Sequence, residues 1–177
     1  MRLFIAIDLN EEIKDNLIRI ILQLKNKSLR GSYTRRENLH ITLVFLGEVE
    51  KSKINLIEQA MNEVKAVSFK MSLRGFGCFR RKEGDIYWIG INQNEKLNDI
   101  YQQLHMQLTR AGFVLENRPF KPHLTVGRRI VTGPSFDANA FDQLIPPMNM
   151  DISKISLMKS EQIDGKLTYT EIYARNI

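Results

Sequence analysis

Apolar residues at the start of the chain follow the order strand, helix, strand. Residues 3–8 form a short apolar run that stops at Asn10, which predicts a buried strand leading into a helix N-cap. The helix predicted after Asn10 ends before Gly31, and its apolar positions are Ile13, Leu17, Ile20, Ile21 and Leu24. Residues 39–46 are rich in Leu, Ile, Val and Phe and predict a second strand, which Gly47 closes.

The rest of the chain alternates in the same way. Residues 52–67 predict a helix capped by Ser52, with Ile54, Ile57, Met61 and Val64 facing inward. Residues 95–111 predict a helix that stops at Gly112, with Leu97, Ile100, Leu104 and Leu108 on its apolar face. The remaining predicted elements are strands at 69–79, 86–91 and 123–131, a short helix at 136–144 in a proline-containing loop, and a closing strand pair at 152–159 and 167–174 around an Asp164-Gly165 turn.

The sequence contains a weak internal repeat. Ile5, Ile7, Asn10 and Glu11 are matched, 84 residues later, by Ile89, Ile91, Asn94 and Glu95. Both copies predict a strand, an Asn cap, an acidic first turn and a helix. One supersecondary unit is therefore predicted to occur twice.

Each copy ends in a His-x-Thr-x motif. The motifs are His40-Ile41-Thr42-Leu43 and His123-Leu124-Thr125-Val126, at an interval of 83 residues, and they contain two of the three histidines. Side chains i and i+2 share one face of a strand, so each motif presents an imidazole and a hydroxyl together. Two such strands related by pseudo-symmetry would place two imidazoles and two hydroxyls across one cleft.

This set of groups is suited to acid–base catalysis on a phosphodiester. With an ordinary pKa of about 6.5, one imidazole can accept a proton from water while the other donates one to the leaving oxygen. Hydroxyls, imidazolium and arginine can stabilise the single negative charge, so no metal ion is required. Either motif alone is more typical of a structural histidine, and the recurrence favours function. The third histidine, His105, lies on a predicted helix without a Thr partner and is interpreted as solvated or partly packed.

An arginine after the second motif is the best candidate to hold a phosphate. The guanidinium of Arg128 offers several donors in a fixed fork, and Arg118 and Lys121 add positive charge before His123. Strict alternation, however, places Arg129 rather than Arg128 on the face of His123. A bulge at Gly127 would turn Arg128 into the cleft, and Arg129 is interpreted as a solvated charge.

Composition and charge are those of a basic globular protein. The 177 residues are 43% hydrophobic and 26% charged, which excludes a disordered chain, a collagen-like repeat and a disulfide scaffold. The net charge of +6 favours a phosphate-bearing partner, nucleic acid above all, although it also fits a basic soluble enzyme. The single cysteine, Cys78, indicates a reducing cytoplasm, and the short apolar N-terminus predicts neither a signal peptide nor a membrane span. We expect a cytoplasmic monomer with no membrane partner.

Both motifs, with their flanking residues, resemble those of the two-histidine phosphoesterase superfamily. The matching segments are residues 40–47 (HITLVFLG) and 118–128 (RPFKPHLTVGR). Within that superfamily the chain is similar to the RNA 2',3'-cyclic phosphodiesterases, also called 2'-5' RNA ligases, and residues 1–8 and 156–161 resemble that family as well. The resemblance covers nearly the whole chain.

The resemblance implies an α+β fold and a reaction. Residues 1–177 would form a single bilobal domain, with two pseudo-symmetric lobes of antiparallel-rich sheet and outer helices around a central cleft. The reaction would be hydrolysis of a terminal 2',3'-cyclic phosphate of RNA to a 2'-phosphate, with possible ATP-independent 2'-5' joining. His40 would be the proton donor to the departing 3' oxygen and His123 the proton acceptor from water. Thr42, Thr125 and Arg128 would bind the substrate phosphate, and no metal or other cofactor is implied.

Two alternatives and one extension remain open. Arg74-Gly75-Phe76-Gly77 begins like an RNA-recognition motif and would fit a non-catalytic RNA-binding module, but the following residues do not continue that signature. A metal-dependent hydrolase using both motif histidines lacks an obvious carboxylate ligand at fixed spacing. Four further cations are candidates for holding the RNA strand that leads to the cyclic phosphate, namely Arg35, Arg36, Arg80 and Arg81.

Overall fold

The structure is a computed structural model that describes residues 1–177 and contains nine β-strands and four α-helices. The strands are β1 Arg2–Asp8, β2 Ser28–Tyr33, β3 His40–Glu48, β4 Phe69–Phe79, β5 Asp85–Ile91, β6 His123–Thr132, β7 Met148–Ile152, β8 Lys154–Ile163 and β9 Lys166–Asn176. The helices are α1 Glu11–Asn26, α2 Ile54–Asn62, α3 Glu95–Arg110 and α4 Ala138–Gln143. None of the helices is both long and apolar enough to cross a membrane.

The internal repeat is present in the structure. The Asn10 side chain accepts a hydrogen bond from the Ile13 N–H at 2.9 Å, and the Asn94 side chain accepts one from Leu97 at 3.1 Å. Each asparagine satisfies a helix-end donor that would otherwise have no partner. Helices α1 and α3 are both 16 residues long, and their predicted apolar faces are buried. The two capped units, β1–α1 and β5–α3, confirm the pattern found in the sequence.

The strands form two antiparallel sheets. One sheet has the order β3-β1-β8-β9 and the other β2-β6-β5-β4-β7. In each, the first strand of the repeat pairs with the strand that carries the His-x-Thr motif, β1 with β3 and β5 with β6. The predicted two-lobed α+β architecture is confirmed.

Strands are exchanged between the two halves of the chain. Strand β2 belongs to the first half but pairs with β6, while β8 comes from the C-terminal end and pairs with β1. Thr34, directly after β2, continues the contact, since its N–H donates to Val126 O at 3.0 Å and its hydroxyl to Thr125 O at 2.8 Å. This exchange supports a single domain for residues 1–177. The single domain itself stays a prediction.

Three elements differ from the sequence prediction. Helix α2 spans Ile54–Asn62 rather than 52–67, and Ser52 is no cap, because it lies in a 3-10 turn where its hydroxyl bonds to the Glu50 carboxylate. Strands β2 and β7 were not predicted as separate elements. The Asp164-Gly165 turn is confirmed, with φ values of 50° and 71° that match a tight hairpin turn.

Candidate active site

The two motif histidines are held by the same contact. The Nδ1 atom of His40 lies 2.7 Å from the Asn38 carbonyl oxygen, and the Nδ1 atom of His123 lies 2.7 Å from that of Lys121. A carbonyl oxygen can only accept, so the hydrogen in each ring is on Nδ1. The Nε2 atom of each neutral ring therefore carries a lone pair that can take up a proton.

Each motif presents its histidine and threonine on one face of its strand. The Nε2 atom of His40 is 3.1 Å from Thr42 Oγ1. In β6, His123 and Thr125 are half-buried while Leu124 and Val126 are completely buried, which is the alternation expected of a strand with one face on the core. The structure thus repeats the imidazole and hydroxyl pair on β3 and on β6.

Aromatic rings surround both imidazoles. Phe4 and Tyr169 lie 4.9 and 5.1 Å from the His40 ring centroid. Phe79 and Trp88 lie 5.1 and 6.2 Å from that of His123. The sequence analysis missed these contacts, although the repeat held one signal, since an offset of 84 residues places Phe4 over Trp88.

The two histidines differ in their electrostatic surroundings. Burial of the ring lowers the pKa of His40 below its ordinary value, and the positive charge of Arg128, with that of His123 when its ring is protonated, acts in the same direction. The Asn38 carbonyl and the Asp8 carboxylate oppose this shift. His40 is therefore more readily deprotonated in the free protein than an exposed histidine, and an anion bound beside it would favour the protonated ring.

The lowered pKa predicts how stability depends on pH. Between the folded pKa of His40 and the unfolded value of about 6.5, the unfolded chain binds a proton at this residue that the folded chain does not. The free energy of unfolding attributable to His40 should therefore rise with pH across that interval and be constant above it. Urea unfolding at a series of pH values should show a steeper rise in the wild type than in His40→Gln. Equal slopes, or a steeper slope in the variant, would contradict the assignment.

A bulge in β6 contains the proposed phosphate arginine, Arg128. The β5–β6 register is irregular on both sides of Gly127, because Tyr87 pairs with Gly127 while Asp85 pairs with Ile130. Within this bulge Arg129 adopts a φ of +52°, which is uncommon for a residue other than glycine. The register shift lies where the sequence analysis placed a bulge, and the positive charge of Arg128 contributes to the lowered pKa of His40. That Arg128 turns into the cleft stays a prediction.

Gly84 packs against the backbone of this bulge. It lies in the β4–β5 hairpin with a φ of +118°, and a Cβ built there would be 2.6 Å from the carbonyl carbon of Arg129. No other residue could bring the hairpin backbone this close to the bulge. The hairpin therefore supports the segment that carries Arg128.

A cleft of about 500 Å³ extends from the motifs toward α3. Thr42 and His123 line its inner end, and Phe45, Phe79, Tyr101 and Phe120 supply most of its aromatic wall. His105 also lines this cleft, half-buried beside Tyr101 with ring centroids 5.7 Å apart, so its position is partly packed. Its place in the cleft wall was not predicted from the sequence.

Most of the predicted strand-binding cations are paired within the protein. Arg36 binds Glu11 and Asp15 at 2.7 and 2.8 Å, Arg35 binds Glu37 at 2.8 Å, and Arg80 binds Asp85. Arg81 differs from these three, because it lines the cleft and its guanidinium donates only to the Arg80 carbonyl. The sequence could not separate Arg81 from its neighbours, since pairing depends on distant carboxylates.

Phe76, in the segment that begins like an RNA-recognition motif, packs against Tyr87 and Phe141 at 5.1 and 4.7 Å and is not in the cleft wall. No group of three or more His, Cys, Asp or Glu side chains is arranged to hold a metal ion.

Comparison with known proteins gives consistent matches over most of the chain. Residues 13–164 match the model of the 2'-5' RNA ligase superfamily. The chain is 34% identical over 176 residues to an RNA 2',3'-cyclic phosphodiesterase of Thermotoga maritima, covering 98% of this chain and 94% of that protein. It is 33% identical to the protein of the same name from Methanothermobacter thermautotrophicus, covering 97% of this chain and 96% of that protein.

A solved structure has the same architecture. Escherichia coli LigT complexed with 3'-AMP superposes with a TM-score of 0.83 at 27% identity, over 99% of this chain and 97% of that chain. The likeness therefore extends across both lobes and the cleft between them.

Proposed function

The chain belongs to the 2'-5' RNA ligase superfamily, and we propose that it is an enzyme that hydrolyses the terminal 2',3'-cyclic phosphate of RNA to a 2'-phosphomonoester without a metal ion. Relatives that align over nearly the full chain are named RNA 2',3'-cyclic phosphodiesterases. The observation that carries the proposal is the pair of imidazoles whose Nδ1 atoms are both bound to backbone carbonyls, leaving both Nε2 atoms for proton transfer.

The proposed reaction is one in-line displacement at phosphorus. A water oxygen forms a bond to phosphorus as its proton passes to Nε2 of His123, the general base. The bond from phosphorus to the 3' oxygen breaks, and that oxygen takes a proton from Nε2 of His40, the general acid. His40 ends neutral and His123 protonated, and exchange with solvent restores both.

Three other side chains would stabilise the charge on the phosphate. Thr42 and Thr125 would donate hydroxyl hydrogen bonds to the non-bridging oxygens, and Arg128 would supply a fixed positive charge. The substrate anion itself would raise the pKa of His40 from its lowered value, so the proton donor is charged when substrate is bound. This role for His40 follows from the resemblance to the family.

The same groups would support joining of RNA ends. If the 5'-hydroxyl of a second RNA replaces water as the nucleophile, the product is a 2'-5' phosphodiester and a free 3'-hydroxyl. No ATP is needed, because the strained cyclic phosphate is already an activated diester. In the reverse direction the donor and acceptor roles of the two histidines exchange.

The cysteine content and the sheet topology suggest the cellular setting. The protein would act on RNA in the cytoplasm, because its single cysteine is unpaired. It would act as a monomer, because both sheets are completed by strands of one chain.

The decisive experiment is an assay in EDTA. Purified protein is incubated with an oligoribonucleotide that ends in a 2',3'-cyclic phosphate, and the product end is identified as 2'- or 3'-phosphate by its resistance or sensitivity to a 3'-specific phosphatase. We expect complete conversion to the 2'-phosphate at an unchanged rate with and without EDTA. A requirement for added metal, or a 3'-phosphate product, would contradict the mechanism.

The same assay separates the alternative function. A non-catalytic RNA-binding module would retain the oligonucleotide, as measured by fluorescence anisotropy, and leave its cyclic phosphate intact. Binding without hydrolysis would favour that alternative.

A further inference from the structure

The carbonyl oxygen that holds His40 belongs to a residue whose own side chain is bound to another strand. Asn38 is 6% exposed, and its Nδ2 donates to the carbonyl oxygen of Leu167 on β9 at 2.8 Å. Arg35, just before the short 3-10 turn Arg36–Asn38, donates to the same oxygen. The loop that enters β3 is therefore anchored to a strand near the far end of the chain.

The protein satisfies only one end of the Asn38 amide. Its Nδ2 has the Leu167 carbonyl as a partner, but no group of the protein donates to its buried Oδ1. A buried acceptor without a partner destabilises the folded chain, so an apolar side chain of the same shape would suit the core as well or better. The amide at this position is therefore better explained by what its donor holds in place than by stability.

Of the two hydrogen bonds that His40 makes, the one to Asn38 decides the tautomer. The Thr42 hydroxyl, 3.1 Å from Nε2, can donate or accept, so it is compatible with a hydrogen on either ring nitrogen. The Asn38 carbonyl, 2.7 Å from Nδ1, can only accept and keeps a hydrogen on Nδ1. This contact is equally available to the protonated ring, so the ring can gain or lose a proton at Nε2 without turning.

His123 is held by the same kind of contact with a different support. Its carbonyl partner is Lys121, which directly precedes Pro122, and proline restricts the residue before it to extended conformations. The corresponding position before His40 is Leu39, which imposes no such restriction. The first motif thus has a side-chain anchor where the second has a proline.

We propose that Asn38 is a positioning residue, which anchors its own backbone to β9 and so keeps its carbonyl oxygen on Nδ1 of His40 and Nε2 directed at the reacting phosphate. The catalytic meaning of this anchor rests on the proposed function. The anchor itself can be measured without substrate, since its effect is on the His40 ring.

The first test measures the tautomer directly. Long-range proton–nitrogen NMR of the imidazoles is recorded at a pH where both motif rings are neutral, for the wild type, Asn38→Leu and Asn38→Ala. Leucine has the branching and the number of heavy atoms of asparagine but no donor, and Arg35 still donates to the Leu167 carbonyl. We expect the variants to increase the share of His40 with its hydrogen on Nε2, while His123 keeps its hydrogen on Nδ1 throughout.

The matched control is Asn62→Leu. The Asn62 side chain also bonds to β9, where it accepts from the Tyr173 hydroxyl at 2.7 Å, but it belongs to α2 and not to the loop before His40. This variant should leave both tautomers unchanged. An unchanged His40 tautomer in both Asn38 variants, or an equal change in Asn62→Leu, would overturn the proposal.

The same spectra followed over pH separate positioning from packing. The hydrogen bond to the Asn38 carbonyl raises the pKa of His40, so loss of the anchor should lower that pKa further. The other titratable or charged groups at this ring are unchanged in the variants, namely Asp8, Arg128, His123 and Tyr169. Loosened packing would instead expose the ring and move its pKa up toward the ordinary value, which would overturn the positioning role.

Steady-state kinetics connect the anchor to turnover. On a cyclic-phosphate oligonucleotide, Asn38→Leu should lower kcat by about 10- to 100-fold, the effect of a misplacement of about 1 Å, with KM nearly unchanged because Asn38 acts through His40. Full turnover despite an altered tautomer would overturn the positioning role. Absence of turnover in the wild type would instead overturn the proposed function and leave the NMR result standing.

Discussion

Replacing either motif histidine with alanine should reduce hydrolysis of the cyclic phosphate by about 10²- to 10⁴-fold, the usual contribution of a positioned general acid or base. The loss is expected for both residues because each supplies the imidazole of its own His-x-Thr motif. Turnover of a cyclic-phosphate oligonucleotide measures the effect. His40→Gln, which retains more of the side-chain volume between Phe4 and Tyr169, should be as inactive as His40→Ala. Unchanged turnover in either alanine variant would remove that residue from the mechanism.

The two roles can be distinguished with a substrate that needs no acid. If sulfur replaces the departing 3' oxygen, the leaving group is a thiolate, which departs without protonation. The deficit of His40→Ala should then become much smaller than on the oxygen substrate, while the deficit of His123→Ala should persist, since water must still lose its proton. The opposite pattern would exchange the donor and acceptor roles. Thermal unfolding of each variant shows whether the fold is retained.

The Gly84→Ala substitution should cause the second large effect, a loss of about 2–5 kcal/mol in the free energy of unfolding. At a φ of +118° any side chain strains the backbone, and here the added methyl group would also collide with the Arg129 backbone. The collision should displace the bulge and raise the KM for the cyclic-phosphate substrate, which Arg128 is proposed to bind. Urea unfolding and steady-state kinetics measure the two effects.

The matched control is Gly112→Ala. Gly112 also has a positive φ, +86°, but nothing lies within 4 Å of the position that a Cβ would take. This variant should lose about 1–2 kcal/mol, the cost of the backbone conformation alone. If both variants lost the same free energy and Gly84→Ala kept its KM, contact between hairpin and bulge would not position Arg128.

Local patterns predicted the helices and most strands, because burial of one face imposes a periodicity that can be recognised within about ten residues. The caps at Asn10 and Asn94 are equally local. Strand β2 escaped prediction because most of its side chains are exposed, so no alternation marks it. The helix predicted at 52–67 was too long at its C-terminal end, because Val64 is buried although it lies beyond the end of α2. The apolar spacing that included Val64 reported burial and not helical conformation.

The candidate site also combines features that local sequence predicts with features that depend on long-range contacts. The spacing within each His-x-Thr motif was enough to predict which side chains share a face. Tyr169, by contrast, contacts a histidine 129 positions away, and pairing of Arg36 with Asp15 depends on how α1 packs. Such contacts are not visible in local periodicity. The residues of the cleft wall, and whether each cation is ion-paired, could therefore be identified only in the folded structure.

The hydrogen bonds of Thr34 have a mechanical consequence. Thr34 binds β6 at the second motif, and six residues later along the same chain His40 begins β3. Any motion that widened the gap between the two imidazoles would pull on this short tether and on the β2–β6 ladder. We therefore expect the spacing of the proposed acid and base to be set before substrate arrives, with no hinge needed to bring two separated halves together.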